Sequence, residues 1–101
     1  MSIQIYQNLN FKVYKVGNEF IIHNTKKKFR NGHTHVHKYK ICMIMIKLIK
    51  HKELPKNHNK YFLESLIRIS DDKDYIKKIE DIYSKKKGLS HYKISVTVFF
   101  A

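Results

Sequence analysis

Three histidines spaced by two, His33, His35 and His37, carry the pattern in this sequence that most directly suggests chemistry. In an extended chain that spacing projects all three imidazoles from one face. A strand of this kind can offer a metal two or three nitrogens, and Zn²⁺ or another borderline divalent ion is what such a set would take. A complete centre also needs a fourth ligand and acceptors behind the imidazoles, for which His23, His51 and His58 are the candidates. The same run is framed by cations: Lys26, Lys27, Lys28 and Arg30 precede it, Lys38 and Lys40 follow, and Phe29 and Tyr39 are interleaved. Cations hold phosphates and aromatic rings stack on bases, so residues 25–40 form a candidate nucleic-acid-binding segment needing no cofactor. Its expected members are Lys26, Lys27, Lys28, Phe29, Arg30, His33, His35, His37, Lys38 and Lys40. The histidines are expected to be solvent-reachable, in a polar stretch where Thr34 or His35 helps to cap the following helix. Three imidazoles buried together would require partners that the sequence does not supply.

A second pattern adds a tyrosine. His35-Val36-His37 resembles the His-hydrophobe-His motif of rolling-circle replication endonucleases, and Tyr75-Ile76-Lys77-Lys78 resembles their downstream Tyr-x-x-Lys. The resemblance covers these few residues. It implies that His35 and His37 hold a divalent metal on a central sheet strand and that Tyr75 attacks a DNA phosphate to form a covalent intermediate. The chain departs from the family in its short length, in lacking the other N-terminal motif, and in the helix expected to follow the histidines.

Other catalytic arrangements are absent from the pattern. The three glycines stand alone at Gly17, Gly32 and Gly88, so there is no glycine-rich phosphate loop. The six acids from Glu64 to Asp81 are spaced as a solvated helix exterior, and Asp71, Asp72 and Asp74 suit a helix N-terminus. Cys42 lies within the apolar run Ile41 to Ile46 and reads as a buried structural thiol; a single cysteine cannot make an intramolecular disulfide, which fits a reducing compartment. Nothing here argues positively for an enzyme.

The elements that must position these residues follow from periodicity. Ile3 and Ile5 alternate with polar residues and can open a short strand. Phe11 to Val16 and Glu19 to Asn24 flank Gly17-Asn18, the signature of a two-residue primed hairpin turn that sets Val13 opposite Ile22 and Tyr14 opposite Ile21. Phe11, Val13, Phe20 and Ile22 then share the core face. From Lys38 to His51 nearly every position is apolar except Lys38, Lys40, Lys47 and Lys50; as a helix the run places Lys40, Lys47 and Lys50 on one side. Pro55 ends it. Asn57 or Asn59 caps a second helix carrying Tyr61, Phe62, Leu63, Leu66, Ile67 and Ile69, and Ser70 or Asp71 caps a third with Ile76, Ile79, Ile82 and Tyr83 as its inner stripe. Strict alternation from His91 to Phe100 predicts a last strand that closes the hairpin's sheet. The fold class is therefore α+β: one domain over residues 1–101, with a small antiparallel sheet (N-terminal hairpin plus C-terminal strand) packed against about three helices.

Composition bounds the function. In 101 residues, 43% hydrophobic and 13% aromatic, there is material for one core. Met1 to Gln7 has no signal-peptide character and no apolar run is long enough to span a bilayer, so a cytoplasmic protein without membrane contact is expected. Lys, Ile, Asn, Tyr and Phe supply 53 of the residues, the usage of an AT-rich genome, as in a low-GC bacterium or its phage. The charge is uneven: residues 1–60 carry 13 Lys/Arg against two acids, whereas residues 61–101 carry eight against six. Such a field attracts polyanions. A non-catalytic basic protein engaging nucleic acid or a nucleoprotein complex is the first reading. The second is a phage- or mobile-element-encoded inhibitor of a nucleic-acid-targeting host defence system, seated in an acidic protein groove. The third is the metal-dependent nuclease.

Overall fold

In the computed structural model the described residues form a four-stranded antiparallel sheet toward the start of the chain and three longer helices after it, an α+β arrangement. The structure describes residues 2–8, 10–56 and 59–87. Strands β1 (Ser2–Asn8), β2 (Phe11–Val16), β3 (Glu19–Asn24) and β4 (His33–Val36) form one antiparallel sheet in sequential order. A single turn of helix, α1 (Phe29–Gly32), precedes β4, and α2 (Tyr39–His51), α3 (Lys60–Ile69) and α4 (Lys73–Lys87) follow it. Among the described residues no helix is long and apolar enough to cross a membrane.

The hairpin has the expected register, Val13 opposite Ile22 and Tyr14 opposite Ile21. Gly17 takes φ +59°, as the first central residue of a primed turn requires, and a side chain there would be strained. One strand, β4, differs from expectation. Residues 33–36 are a strand rather than a polar lead into α2, because Thr34 and Val36 alternate inward: Val36 sits opposite Phe20, and Thr34 meets Ser65 hydroxyl to hydroxyl at 2.8 Å in the core. Neither Thr34 nor His35 caps α2, whose N-cap is Lys38 with no side-chain bond. The expected strand from His91 to Phe100 lies outside the described residues; within them the hairpin's two edges are taken by β1 and β4. A bulge between Gln4 and Tyr6 reverses the alternation of β1, so Tyr6 packs on the core while Ile3 and Ile5 stay exposed.

The core lies on one face of the sheet. Phe11, Val13, Ile22 and Val36 meet Cys42, Met45, Ile46 and Ile49 of α2, the apolar side of α3, and Tyr75, Ile79 and Tyr83 of α4. Lys40, Lys47 and Lys50 point outward from α2, as the pattern required. α2 ends in a Schellman motif: Lys52, at φ 54°, donates its N–H to Ile49 O, and Glu53 donates to Leu48 O. Asn59 Oδ1 accepts from Phe62 N and starts α3. The cap of α4 is Asp72, which accepts from Asp74 N and Tyr75 N, rather than Ser70 or Asp71. Ser70 donates its hydroxyl to Leu66 O, and Asp71 pairs with Lys26. Among the described residues every buried side-chain nitrogen or oxygen has a partner.

Candidate functional site

Alternation decides what the other face of the sheet carries. With Phe11, Val13, Phe20, Ile22, Thr34 and Val36 turned to the core, the residues between them turn away, and among the described residues α2, α3 and α4 all pack on the core side. One cross-strand row holds Tyr14, Ile21 and His35, and the next holds Lys12, His23 and His33. Phe29, on α1, closes over the second row. Its ring stacks on His33 with centroids 4.1 Å apart and planes within 8°, and stands edge-on to His23 at 5.2 Å. His33 and His35 are themselves in edge contact at 5.2 Å.

Hydrogen bonds fix these rings. His23 Nε2 lies 2.9 Å from Lys27 O, and His33 Nδ1 meets Phe29 O. A carbonyl only accepts, so each of these nitrogens carries the proton of its bond. His35 Nδ1 is 3.4 Å from Glu19 Oε1. The result is a platform of aromatic and imidazole rings, its floor supplied by Ile21 and Tyr14. A recess of about 210 Å³ lies between Ser2, Tyr14, Ile21 and Phe29.

The basic run is divided by the fold. Lys28 and Arg30 flank Phe29 and are exposed, and Lys12 shares the platform face. Lys27 is spent on structure: its Nζ donates to Arg68 O at 2.9 Å and Ser70 O at 3.1 Å, closing the C-terminus of α3. Burial, and then the nearby Arg68 guanidinium, hold its pKa below the ordinary lysine value, against the pull of Asp71. Lys26 is 3.6 Å from Asp71. Arg68 in turn donates to His33 O and Arg30 O, pinning α1 and the start of β4. His37 and Lys38 lie exposed in the turn before α2, and Lys40 stands on α2 across the sheet from the platform.

The sequence pattern does not join Lys12, Tyr14 and Ile21 to the histidines and offers His23 only as a candidate metal ligand, although the core assignment of their neighbours already implies that these four residues share the opposite face. The three histidines do not act as one set: His33 and His35 lie side by side on β4, whereas His37 falls beyond its end. Among the described residues no group of three His, Cys, Asp or Glu side chains converges as a metal centre. The residues matching the endonuclease pattern are also set apart. Tyr75 is only 2% exposed, within the core on the far side of the sheet from His35. Its hydroxyl donates to Glu53 O at 2.7 Å, and burial pushes its pKa up to about 12.

A second concavity, about 430 Å³, opens between the end of α2 and the α3–α4 turn. Lys26, Lys50 and Lys52 face Asp71 and Asp72 there, and Lys52 Nζ is 2.9 Å from Asp72 Oδ2, so most of its charge is internally matched. Comparison with family models, with curated proteins and with solved structures finds no match to this chain.

Proposed function

We propose that this chain is a non-catalytic nucleic-acid-binding domain whose contact surface is the platform face of the sheet. The observation that carries the reading is the cluster of Phe29, His23, His33 and His35 beside exposed Lys28 and Arg30 and the platform cation Lys12. Rings offer bases a stacking surface, and cations beside them hold the phosphates that join those bases. The formal net charge of +13 adds long-range attraction to any polyanion. The two side chains that the sequence patterns offered as nucleophiles do not face the platform: Tyr75 and Cys42 both lie in the core, and burial pushes the Cys42 thiol up to about 11.

Of the six cations that frame the histidines in sequence, Lys27 and Lys26 are engaged elsewhere and Lys40 lies across the sheet, so with Lys12 added three or four phosphate contacts are expected. This gives a slope of log K against log salt of about −2 to −4. The test is fluorescence anisotropy with labelled DNA and RNA across a salt series, with Lys12, Lys28 and Arg30 reversed to Glu in one variant. Affinity should fall for all sequences and the slope should flatten. Tight association insensitive to salt and to the triple reversal would refute the proposal.

A further inference from the structure

We infer that the recess between Ser2, Tyr14, Ile21 and Phe29 is a seat for one unpaired base, which makes the platform selective for single-stranded over double-stranded nucleic acid. The inference rests on the nucleic-acid reading and specifies its ligand. The recess is walled by two aromatic residues from different elements, Tyr14 of β2 and Phe29 of α1, with Ile21 between them. At about 210 Å³ it falls below the ~300–1,000 Å³ typical of sites for drug-sized ligands, and suits a single planar ring. Ser2 adds a hydroxyl and backbone groups at its rim, and the Gln4 amide, on the same face by register, is the nearest further polar group along β1.

Phe29 has the properties of a preformed stacking residue. It stays 47% exposed although its ring is held by His33 in parallel contact and by His23 edge-on. A large apolar side chain fixed by neighbours on one side and open on the other loses little entropy when a base covers it. Charge fits the same occupant. Lys28 and Arg30 adjoin Phe29 in sequence, and Lys12 is two residues along the same strand face from Tyr14, so a strand whose base enters the recess passes its phosphates over cations. A duplex keeps its bases paired and stacked inside, where this recess cannot reach them; an unpaired base already presents a free ring face.

Short labelled single strands of oligo-dT and oligo-rU, the same length of abasic backbone, and a duplex would be titrated against the whole chain and against Phe29→Ala, Phe29→Tyr and Lys28→Glu, with melting curves for each variant. Base-bearing single strands should bind more tightly than the abasic strand or the duplex. Phe29→Ala should weaken them by about 5- to 150-fold, the equivalent of one stacked base, and leave the abasic strand unchanged. Phe29→Tyr, which keeps a ring, should restore binding. Equal affinity for abasic and base-bearing strands, or a Phe29→Ala protein that melts normally and binds them as tightly as the parent, overturns the base seat. If Lys28→Glu still weakens binding in that case, the nucleic-acid reading stands without it. Failure of every nucleic acid to bind overturns both.

Discussion

Replacing Asn24 by Ala should separate the structural part of the basic run from its exposed part. Asn24 is 0% exposed; its Nδ2 donates to Ile69 O at 2.9 Å and its Oδ1 accepts from Lys26 N at 2.9 Å. Alanine leaves the Ile69 carbonyl without its donor in a fully buried setting, at about 1–3 kcal/mol, and removes the turn bond to Lys26 N, at about 0.5–1.5 kcal/mol because that amide can find water. The expected loss is about 1.5–4.5 kcal/mol, a large share of a margin that for small domains is about 5–15 kcal/mol. Lys27→Met keeps the stem that covers apolar surface but deletes the two bonds to Arg68 O and Ser70 O. Because that ammonium is partly solvated, its loss should be smaller, about 0.5–1.5 kcal/mol. Lys28→Met should leave stability unchanged. Urea unfolding followed by far-UV circular dichroism, with the m-value held constant, measures all three. An Asn24→Ala protein within 0.5 kcal/mol of the parent, taking ~0.5 kcal/mol as the scatter of neutral surface changes, or Lys27→Met and Lys28→Met that behave alike, would refute the assignment of Asn24 and Lys27 as the clamp on the end of α3.

Three further outcomes are expected. Gly32→Ala places a methyl carbon 2.6 Å from Lys27 Cβ, close to the backbone where it cannot swing away, and should lower stability by about 1–3 kcal/mol in the same urea assay. Tyr75→Phe removes the bond to Glu53 O and should cost about 0.5–1.5 kcal/mol at neutral pH. Its pH signature has a definite sign: the folded pKa is raised from 10.0 to about 12, so the contribution is complete below pH 10 and is lost as pH rises toward 12, a decline that should be shallower in Tyr75→Phe than in the parent. Cys42, fully buried with its thiol pushed up to about 11, should react with a thiol reagent at pH 8 only as fast as the chain unfolds, and at once in denaturant.

The parts of the fold legible in sequence were those set by neighbours in the chain. Gly17-Asn18 fixes the hairpin register because the turn allows one pairing, and the spacing of Lys40, Lys47 and Lys50 marks the outer side of α2. Strand β4 was not legible as a strand. Its four residues alternate between histidines of middling polarity and the inward pair Thr34 and Val36, and what selects the extended form is pairing with Phe20 and Ile22, far back in the chain. Helical spacing assigns the inner stripe of α4 to Ile76, Ile79, Ile82 and Tyr83; among the described residues the buried ones are Tyr75, Ile79 and Tyr83, with Ile76 and Ile82 at the margins. Tyr75 belongs inside because a carbonyl at Glu53 accepts its hydroxyl, a partner that helical periodicity does not announce.

The candidate site was half legible for a related reason. Lys26, Lys27 and Lys28 are identical as sequence, and only the approach of the α3 C-terminus turns the middle one inward. The platform, by contrast, follows from parity once β4 is known to be a strand. The alternation that buries Thr34 and Val36 is the one that brings His33 beside His23 and His35 beside Ile21. Because strand periodicity is two, inserting one residue between Gly32 and His33 would turn His33 and His35 toward the core and expose Thr34 and Val36. Imidazoles in place of Thr34 would face the Ser65 hydroxyl and the apolar residues around it, where at most one ring nitrogen could be satisfied. The fold therefore holds the core and the platform in one register, and the face that carries the rings is fixed by the same contacts that stabilise the opposite side.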